Sequence, residues 1–268
     1  MNDGGTDPFG VLERWQGELS ETRSRVLGTL TAEVAARGCT RVALGLSGGL
    51  DSTVAAALCV AALGADNVLG VLMPMRTTDA TALSLAQGVV NALGITSRRV
   101  NMSPVHDAYF ANFPDANRDR RGLCLAWLRT GVLLDLSANY GAAAVQVVNR
   151  SDRLLAYGAG RQELREAVKP LAGLFKSQVR LLGELLEILP EVRRRRPSLE
   201  YWPGQTDEGD LGQPYATVDP LLEALADRGL APEAAIAQGF DRAAVEWAGK
   251  RVESWRLAAA AGPDGPRP

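Results

Sequence analysis

The stretch SGGLDS at residues 47–52 constrains the fold more than any other part of the chain. It lies between the apolar runs RVALGL (41–46) and TVAAALCVAAL (53–63). A buried strand, a glycine-rich turn and an apolar helix in this order are typical of parallel α/β proteins. The first backbone N–H groups of such a helix have no intrahelical partner and attract anions. The stretch therefore predicts a phosphate-binding loop.

The alternation of strands and helices continues through the first half of the chain. After the strand at 41–46, further strands are predicted at 67–75, 97–104 and 142–148, and helices at 51–63, 79–93 and 123–139. This order predicts the α/β class, with a doubly wound parallel sheet covered by helices on both faces, Rossmann-like. Before the first strand, residues 9–38 show helical periodicity and predict one long amphipathic helix, or a broken one.

The second half of the chain has no strand alternation. Helices are predicted at 176–189, 217–228 and 240–258, and a long polar loop at 191–215. A loop of that length inside a compact domain is usually functional or disordered. We expect one domain over residues 1–258 and a disordered tail over 259–268.

Composition excludes several classes of function. A formal charge of −2 gives no support for a nucleic-acid partner, and no apolar run approaches the length of a membrane span. Three widely spaced cysteines and the lack of a signal-peptide pattern favour the cytoplasm. A single histidine excludes a multi-histidine metal site. The four arginines at 193–196 are interpreted as a solvated helix end.

The carboxylate inside the loop indicates which phosphate chemistry it serves. A Walker A loop ends in a lysine, whereas this loop has Asp51 among the groups that would face phosphate. A carboxylate there repels phosphate unless a cation lies between them, and Mg²⁺ bridges carboxylate and phosphate oxygens. The alternative is that Asp51 only caps the helix.

Two segments resemble a known family. The pattern SGGLDS resembles the pyrophosphate loop of the ATP pyrophosphatases, the adenine nucleotide alpha hydrolase-like superfamily. Within it, PSLEYWPGQTDEGDLGQPY (197–215) resembles P-S-A-D-L-W-P-G-Q-T-D-E-x-E-L-G-x-P-Y of the ammonia-dependent NAD synthetases. The resemblance extends from about residue 20 to 255. It implies ATP and Mg²⁺ as cofactors and a homodimer as the assembly.

Residue by residue, the resemblance implies a nearly complete ATP site. Asp51 and Lys176 are the implied catalytic residues. Asp51 and Asp152 are the implied metal ligands, although Asp152 stands where the family has glutamate. The implied ATP-binding residues are Gly45, Leu46, Ser47, Gly48, Gly49, Leu50, Asp51, Ser52, Arg76, Lys176 and Ser198.

The substrate half departs from the family. The implied substrate-binding positions are Trp127, Arg129, Gly160 and Lys250. Trp127 replaces a family arginine and Gly160 a family lysine, so two cations that would meet dianionic deamido-NAD are missing. Losing two charge-assisted contacts costs orders of magnitude in affinity. Arginines elsewhere in 150–165 are an alternative source of charge.

Three functions follow from these observations. The first is an ATP-dependent ligase that adenylates deamido-NAD and transfers it to ammonia, yielding NAD, AMP and pyrophosphate. The second is a paralogue that amidates a different, smaller carboxylic acid with ammonia or another amine. The third is a non-catalytic nucleotide-binding protein. Retention of Asp51, Lys176 and Asp152 argues against the third.

Overall fold

A four-stranded parallel sheet forms the centre of the molecule. In a computed structural model, residues 7–158, 164 and 166–260 are described. The strands are β1 (Arg41–Gly45), β2 (Val68–Leu72), β3 (Thr96–Arg99) and β4 (Ala142–Val145). They pair in the order β3-β2-β1-β4, so the chain builds outward from β1 and then returns to its other side. The predicted doubly wound α/β fold is confirmed, with strands that end earlier than expected.

Helices cover both faces of this sheet because the strand side chains alternate between them. Val42 and Leu44 of β1 join the larger apolar cluster, to which the helices α2 (Leu19–Ala36), α3 (Leu50–Leu63) and α4 (Ala80–Leu93) contribute. Ala43 points to the opposite face, where it joins a smaller cluster with Leu133. Leu133 belongs to α6 (Arg118–Asn139), which lies on that second face.

Side chains accept the first N–H groups of α1 and of α6. The predicted helix at 9–38 is broken into α1 (Val11–Gly17) and α2, and the Asp7 carboxylate accepts the N–H groups of Val11 and Leu12 at 2.9 Å each. Asn117 caps α6, which therefore begins five residues before its predicted start at 123. A helix that was not predicted, α5 (Ser103–Phe110), follows β3.

A second apolar cluster holds the C-terminal half together. Trp15 of α1 stacks on Phe175 with ring centroids 5.0 Å apart, and both belong to this cluster. The predicted loop at 191–215 contains two short helices, and two further helices were not predicted. The helices of this half are α7 (Arg150–Leu155), α8 (Lys176–Leu185), α9 (Pro190–Arg194), α10 (Asp207–Leu211), α11 (Tyr215–Leu222), α12 (Pro232–Ala237) and α13 (Arg242–Ala260).

The C-terminal end of the described part is helical. The final helix α13 continues to Ala260, so the first two residues of the predicted tail at 259–268 are helical, and 261–268 lie outside the described residues. No described helix has both the length and the apolar character needed to cross a membrane.

Candidate active site

A cavity of about 310 Å³ opens at the carboxyl ends of the strands. It lies between the segments that follow β1, β2 and β4, at the point where the strand order reverses. Doubly wound sheets bind ligands at this switch point. The far wall is formed by Arg193 of α9 and by residues 195–201, in the segment between α9 and α10.

The loop after β1 has a shape that only glycine at position 48 allows. Gly48 has a φ of 77°, and a Cβ atom there would overlap the carbonyl oxygen of Ala82 and lie 3.0 Å from the N atom of Ala86. The loop is therefore pressed against the start of α4. Hydroxyl groups also hold it, because Ser47 Oγ and Ser52 Oγ lie 3.1 Å apart and Ser52 Oγ donates to the carbonyl of Gly49 at 3.1 Å.

The start of α3 presents unpaired donors to the cavity. Gly49 is the N-cap residue, and within the described part of the chain no acceptor meets the N–H groups of Leu50, Asp51 and Ser52. Three N–H groups at the positive end of a helix form an anion site. Gly45, Leu46, Ser47, Gly49, Leu50 and Asp51 line the cavity, whereas Gly48 forms the turn behind it.

Asp51 does not cap the helix, which excludes that alternative. It is the second residue of α3, and its carboxylate reaches across the cavity. Lys176 Nζ donates to Asp51 Oδ1 at 2.7 Å, and Asn149 Nδ2 donates to Asp51 Oδ2 at 2.9 Å. Lys176 is the first residue of α8, and its side chain is only 10% exposed.

Asp152 is held by a capping box at the start of α7. The Asn149 side chain accepts the Asp152 N–H at 2.9 Å, and the Asp152 carboxylate accepts the Asn149 N–H at 3.3 Å. Burial raises the pKa of Asp152. Lys176 opposes this shift, and Asp51 adds to it. The sequence NRSD (149–152) carries the capping-box pattern that would have predicted α7.

A third carboxylate, Asp207, was not assigned from the sequence. It is the first residue of α10, whose N-cap Thr206 accepts the N–H of Gly209 at 3.2 Å. Burial raises the pKa of Asp207 to about 6, against the opposing charge of Lys176 and with a further increase from Asp51. The acidic first turn TDE (206–208), a common helix start, was the available sequence signal.

These groups form one acidic centre. Burial alone would lower the pKa of Lys176, but Asp51, Asp152 and Asp207 together outweigh it and raise that pKa. One ammonium therefore faces three carboxylates. Among the described residues no group of three or more histidine, cysteine or carboxylate ligands is close enough to form a complete metal site.

A buried aspartate joins the two helices that carry this centre. Ser151 Oγ donates to Asp219 Oδ1 at 2.6 Å, and the N–H of Ser177 donates to Asp219 Oδ2 at 2.7 Å. Ser151 also accepts the N–H of Lys176 at 2.9 Å. The starts of α7 and α8 are thereby fixed to each other through α11. Burial raises the pKa of Asp219 to about 6, while the bonds from Ser151 and Ser177 lower it.

Two other predicted residues also reach the cavity. Arg129 of α6 lines it, and its Nε donates to the carbonyl of Met73 at 3.2 Å. Burial lowers the pKa of Arg129, against the opposing charge of Glu200. Ser198 lines the opposite wall, where its Oγ accepts the N–H of Glu200 at 3.0 Å.

The remaining predicted residues do not line the cavity. Arg76 is 64% exposed along its side chain and pairs with Asp107 of α5. Trp127 is 47% exposed, because α6 turns Ala126, Arg129 and Thr130 toward the cavity and leaves position 127 outside. Lys250 lies exposed on α13. Gly160 lies outside the described residues.

The arginine run is more than a solvated helix end. Arg194 fits that interpretation, since it lies in the last turn of α9 and pairs with Glu191 at 3.7 Å. The other three, Arg193, Arg195 and Arg196, line the cavity together with Arg180 of α8. Arg195 pairs with Glu200 in the cavity wall.

Comparisons with known proteins agree with this architecture. The family described as NAD synthase matches residues 23–257. An NH(3)-dependent NAD(+) synthetase of Trichlorobacter lovleyi is 38% identical over 218 residues, which cover 81% of this chain and 80% of that protein. The protein of the same name from Chlorobium phaeovibrioides is 40% identical over 210 residues, 78% of this chain and 76% of the other.

Solved structures share the fold. An NMN synthetase of Francisella tularensis matches with a TM-score of 0.74 at 23% identity, covering 89% of this chain and 95% of that one. An NH3-dependent NAD synthetase of Campylobacter jejuni matches with a TM-score of 0.73 at 21% identity, covering 93% and 98%. At these identities the likeness shows the fold alone. The match over nearly the whole sequence and the curated relatives decide the family: this chain belongs to the NAD synthase family.

Proposed function

We propose that the protein is an ATP-dependent ligase that converts deamido-NAD and ammonia into NAD, with release of AMP and pyrophosphate. The observation that carries this proposal is the grouping of the loop, Asp51, Asp152 and Lys176 in one cavity. The identity of the substrates is inferred from the relatives, which are named NH(3)-dependent NAD(+) synthetases.

The cavity has two halves that fit the two ends of ATP. Leu46, Val71, Met73 and Leu83 form an apolar part between the ends of β1 and β2, which suits the adenine base. The start of α3 lies beside it and offers N–H groups to the phosphates. The α-phosphate is then expected at the acidic centre, next to Asp51 and Asp152.

The acidic centre fits Mg²⁺ bound together with a nucleotide. Mg²⁺ is usually held by one or two carboxylates plus substrate phosphates and water, so an incomplete protein site is the expected arrangement. Asp51 and Asp152 are the proposed ligands, and Asp207 adds charge behind them. When bound, Mg²⁺ would neutralise phosphate charge and orient the triphosphate.

The chemistry needs positioning rather than a side-chain nucleophile. A carboxylate oxygen of the acid attacks the α-phosphorus, and pyrophosphate leaves with the electrons of the broken P–O bond. Ammonia attacks the acyl carbon, a proton is lost, and AMP departs. Lys176 is held by Asp51 at 2.7 Å, so its charge is already oriented when the leaving pyrophosphate becomes more negative. The N–H groups of Leu50, Asp51 and Ser52 act on the same anion.

A turnover assay tests this function. The protein is incubated with ATP, Mg²⁺, deamido-NAD and ammonium, and NAD and AMP are quantified by chromatography. They should appear in equal amounts. Asp51→Asn should lower kcat/KM by about 10- to 150-fold, since a desolvated charge contact contributes roughly 1.5–3 kcal/mol and 1.4 kcal/mol is tenfold. Asp66→Asn, in the exposed turn beyond the other end of α3, is the matched control.

A different acid is the second candidate substrate. It is favoured by Trp127, which takes the place of a family arginine and does not point into the cavity. Nicotinic acid mononucleotide, with one phosphate and no adenosine, is the first acid to compare. If this acid is amidated faster than deamido-NAD, it would replace deamido-NAD as the proposed substrate. ATP binding without AMP formation for any acid would support a non-catalytic role.

We also infer a homodimer. Leu123, Trp127 and Leu134 lie within a narrow arc of α6, and all three are exposed. Val105 and Tyr109 of α5, which packs against α6, are also exposed. A second copy of the chain on this face would cover the five side chains and bring Trp127 to the interface. Free ammonia or an ammonia-supplying protein is the proposed nitrogen source.

A further inference from the structure

Three of the arginines that line the cavity have no acidic partner within the described part of the chain. They are Arg180, in the second turn of α8, and Arg193 and Arg196, at and just beyond the end of α9. Arg193 Nε is occupied by the carbonyl of Ile188 at 2.9 Å. For Arg180 and Arg196, no hydrogen bond or ion pair is found within the described part of the chain. Two cations that line a cavity without an acidic partner favour an anionic ligand.

The packing of α8 and α9 places these arginines beside the start of α3. Both helices pack against α3. Gly183 of α8 lies so close to Leu50 that a Cβ atom would come within 2.8 Å of Leu50 Cδ1. Arg180 lies four residues after Lys176 and therefore on the same face of α8, one turn farther along. Lys176 reaches Asp51 in the acidic centre, and Arg180 lies one turn farther along α8.

Charge in the cavity is separated along this direction. The acidic centre holds three carboxylates and one ammonium, a formal charge of −2 when all four are ionised, and the three arginines carry +3. The centre suits a divalent cation, whereas the arginines suit the phosphates that extend beyond it. Only a ligand with a metal-bound phosphate at one end and free phosphate charge at the other matches both.

We propose that Arg180 and Arg196 bind the β- and γ-phosphates of ATP, and hence the pyrophosphate leaving group. The proposal rests on the proposed function for the identity of the nucleotide. The loop lacks the terminal lysine of a Walker A motif, and the proposal supplies its cations from α8 and from the segment that follows α9. Arg193 contributes charge from the same side.

Pyrophosphate binding tests the proposal without turnover. Titration calorimetry with inorganic pyrophosphate and Mg²⁺ should show binding to the full-length protein. Arg180→Ala and Arg196→Ala should each raise the Kd about fivefold, the size expected of a partly screened ion contact. The double variant should raise it by about 25-fold if the two contacts are independent. Arg196→Lys should recover part of the affinity.

Arg194→Ala is the matched control. It removes the same charge from the same arginine run, but Arg194 does not line the cavity. Its Kd should stay within twofold of the parent. An unchanged Kd in the double variant, an equal loss in Arg194→Ala, or no pyrophosphate binding by the parent protein would each overturn the proposal.

Kinetics separate this proposal from the proposed function. If the protein makes NAD, the double variant should raise the inhibition constant of pyrophosphate and the KM of ATP, and leave the KM of the acid unchanged. A rise in the KM of the acid alone would assign the arginines to the acid and overturn the proposal. If the protein makes no NAD but pyrophosphate binding follows the expected pattern, the proposed function is wrong, and the proposal that Arg180 and Arg196 bind phosphate is supported.

Discussion

Replacing Lys176 by methionine should destabilise the fold in a strongly pH-dependent manner. Methionine keeps most of the apolar length of the side chain and removes the charge. Asp51 then loses its partner at 2.7 Å, and Asp152 and Asp207 lose the cation that lowers their pKa values. Breaking a buried ion pair on one side costs about 3–5 kcal/mol.

The pH dependence follows from the proton that can replace the lost charge. Protonating one carboxyl of reference pKa about 3.9 costs about 4 kcal/mol at pH 7 and about 1.5 kcal/mol at pH 5, at 1.36 kcal/mol per pH unit. The variant can avoid a larger penalty by taking up this proton, so these values are upper limits for the electrostatic loss. The folded variant binds one more proton than the folded parent, and its deficit therefore grows as the pH rises.

Urea unfolding at pH 5, 6 and 7 measures this deficit. Lys250→Met, at an exposed position of α13, is the matched control and should change the free energy of unfolding by less than about 0.5 kcal/mol. A Lys176→Met deficit that is equal at pH 5 and pH 7, or below about 1 kcal/mol at pH 7, would refute the proposed charge balance of the acidic centre.

Three further outcomes are expected. In the same urea experiment, Gly48→Ala should lose more than about 2 kcal/mol of stability, because position 48 has a φ of 77° and no room for a Cβ atom. Gly49→Ala should lose less, because position 49 has an ordinary φ of −88°. Burial raises the pKa of Asp219 from 3.8 to about 6, so this group should reduce stability by about 2 kcal/mol as the pH rises from 4 to 6, and Asp219→Asn should remove that slope from the unfolding curves. Trp127→Glu should raise the dimer dissociation constant, measured by light scattering, at least about tenfold. Leu257→Glu, at an exposed apolar position on α13, should leave it unchanged. Equal effects of the two substitutions would argue against the α5–α6 face as the interface.

Local sequence patterns were sufficient for the sheet and for the phosphate loop. The strand at 41–46 and the glycines after it are a short-range signal, and the position of the loop follows from it without any long-range contact. The start of α7 also has a local signal, the capping-box pattern NRSD. The partnership of Asp51 with Lys176, which are 125 positions apart, depends on how α8 packs on α3. The family resemblance assigns both residues to the ATP site, but neither the resemblance nor the spacing predicts that they pair with each other.

Side-chain direction and charge partners could not be predicted from the sequence. A sequence match places Trp127 on α6, but only the docking of α6 decides that positions 126, 129 and 130 face the cavity. Arg76 follows β2 as expected, yet Asp107 of the unpredicted α5 takes its charge. The interpretation of the arginine run as a solvated helix end depended on the net charge of the whole chain. That net charge does not report the local charge of a cavity.

Asp219 restricts how the sequence of this site can evolve. One carboxylate satisfies the Ser151 hydroxyl and the Ser177 N–H, and the Ser151 hydroxyl in turn accepts the Lys176 N–H. Substitution at 219 alone would leave buried donors unsatisfied, and substitution at 151 alone would free a carboxylate lone pair in an apolar interior. Positions 151 and 219 are therefore expected to covary among relatives. A lineage that replaces both would loosen the connection between Asp152 and Lys176, and with it the fixed separation of the two charges that we propose act on the nucleotide.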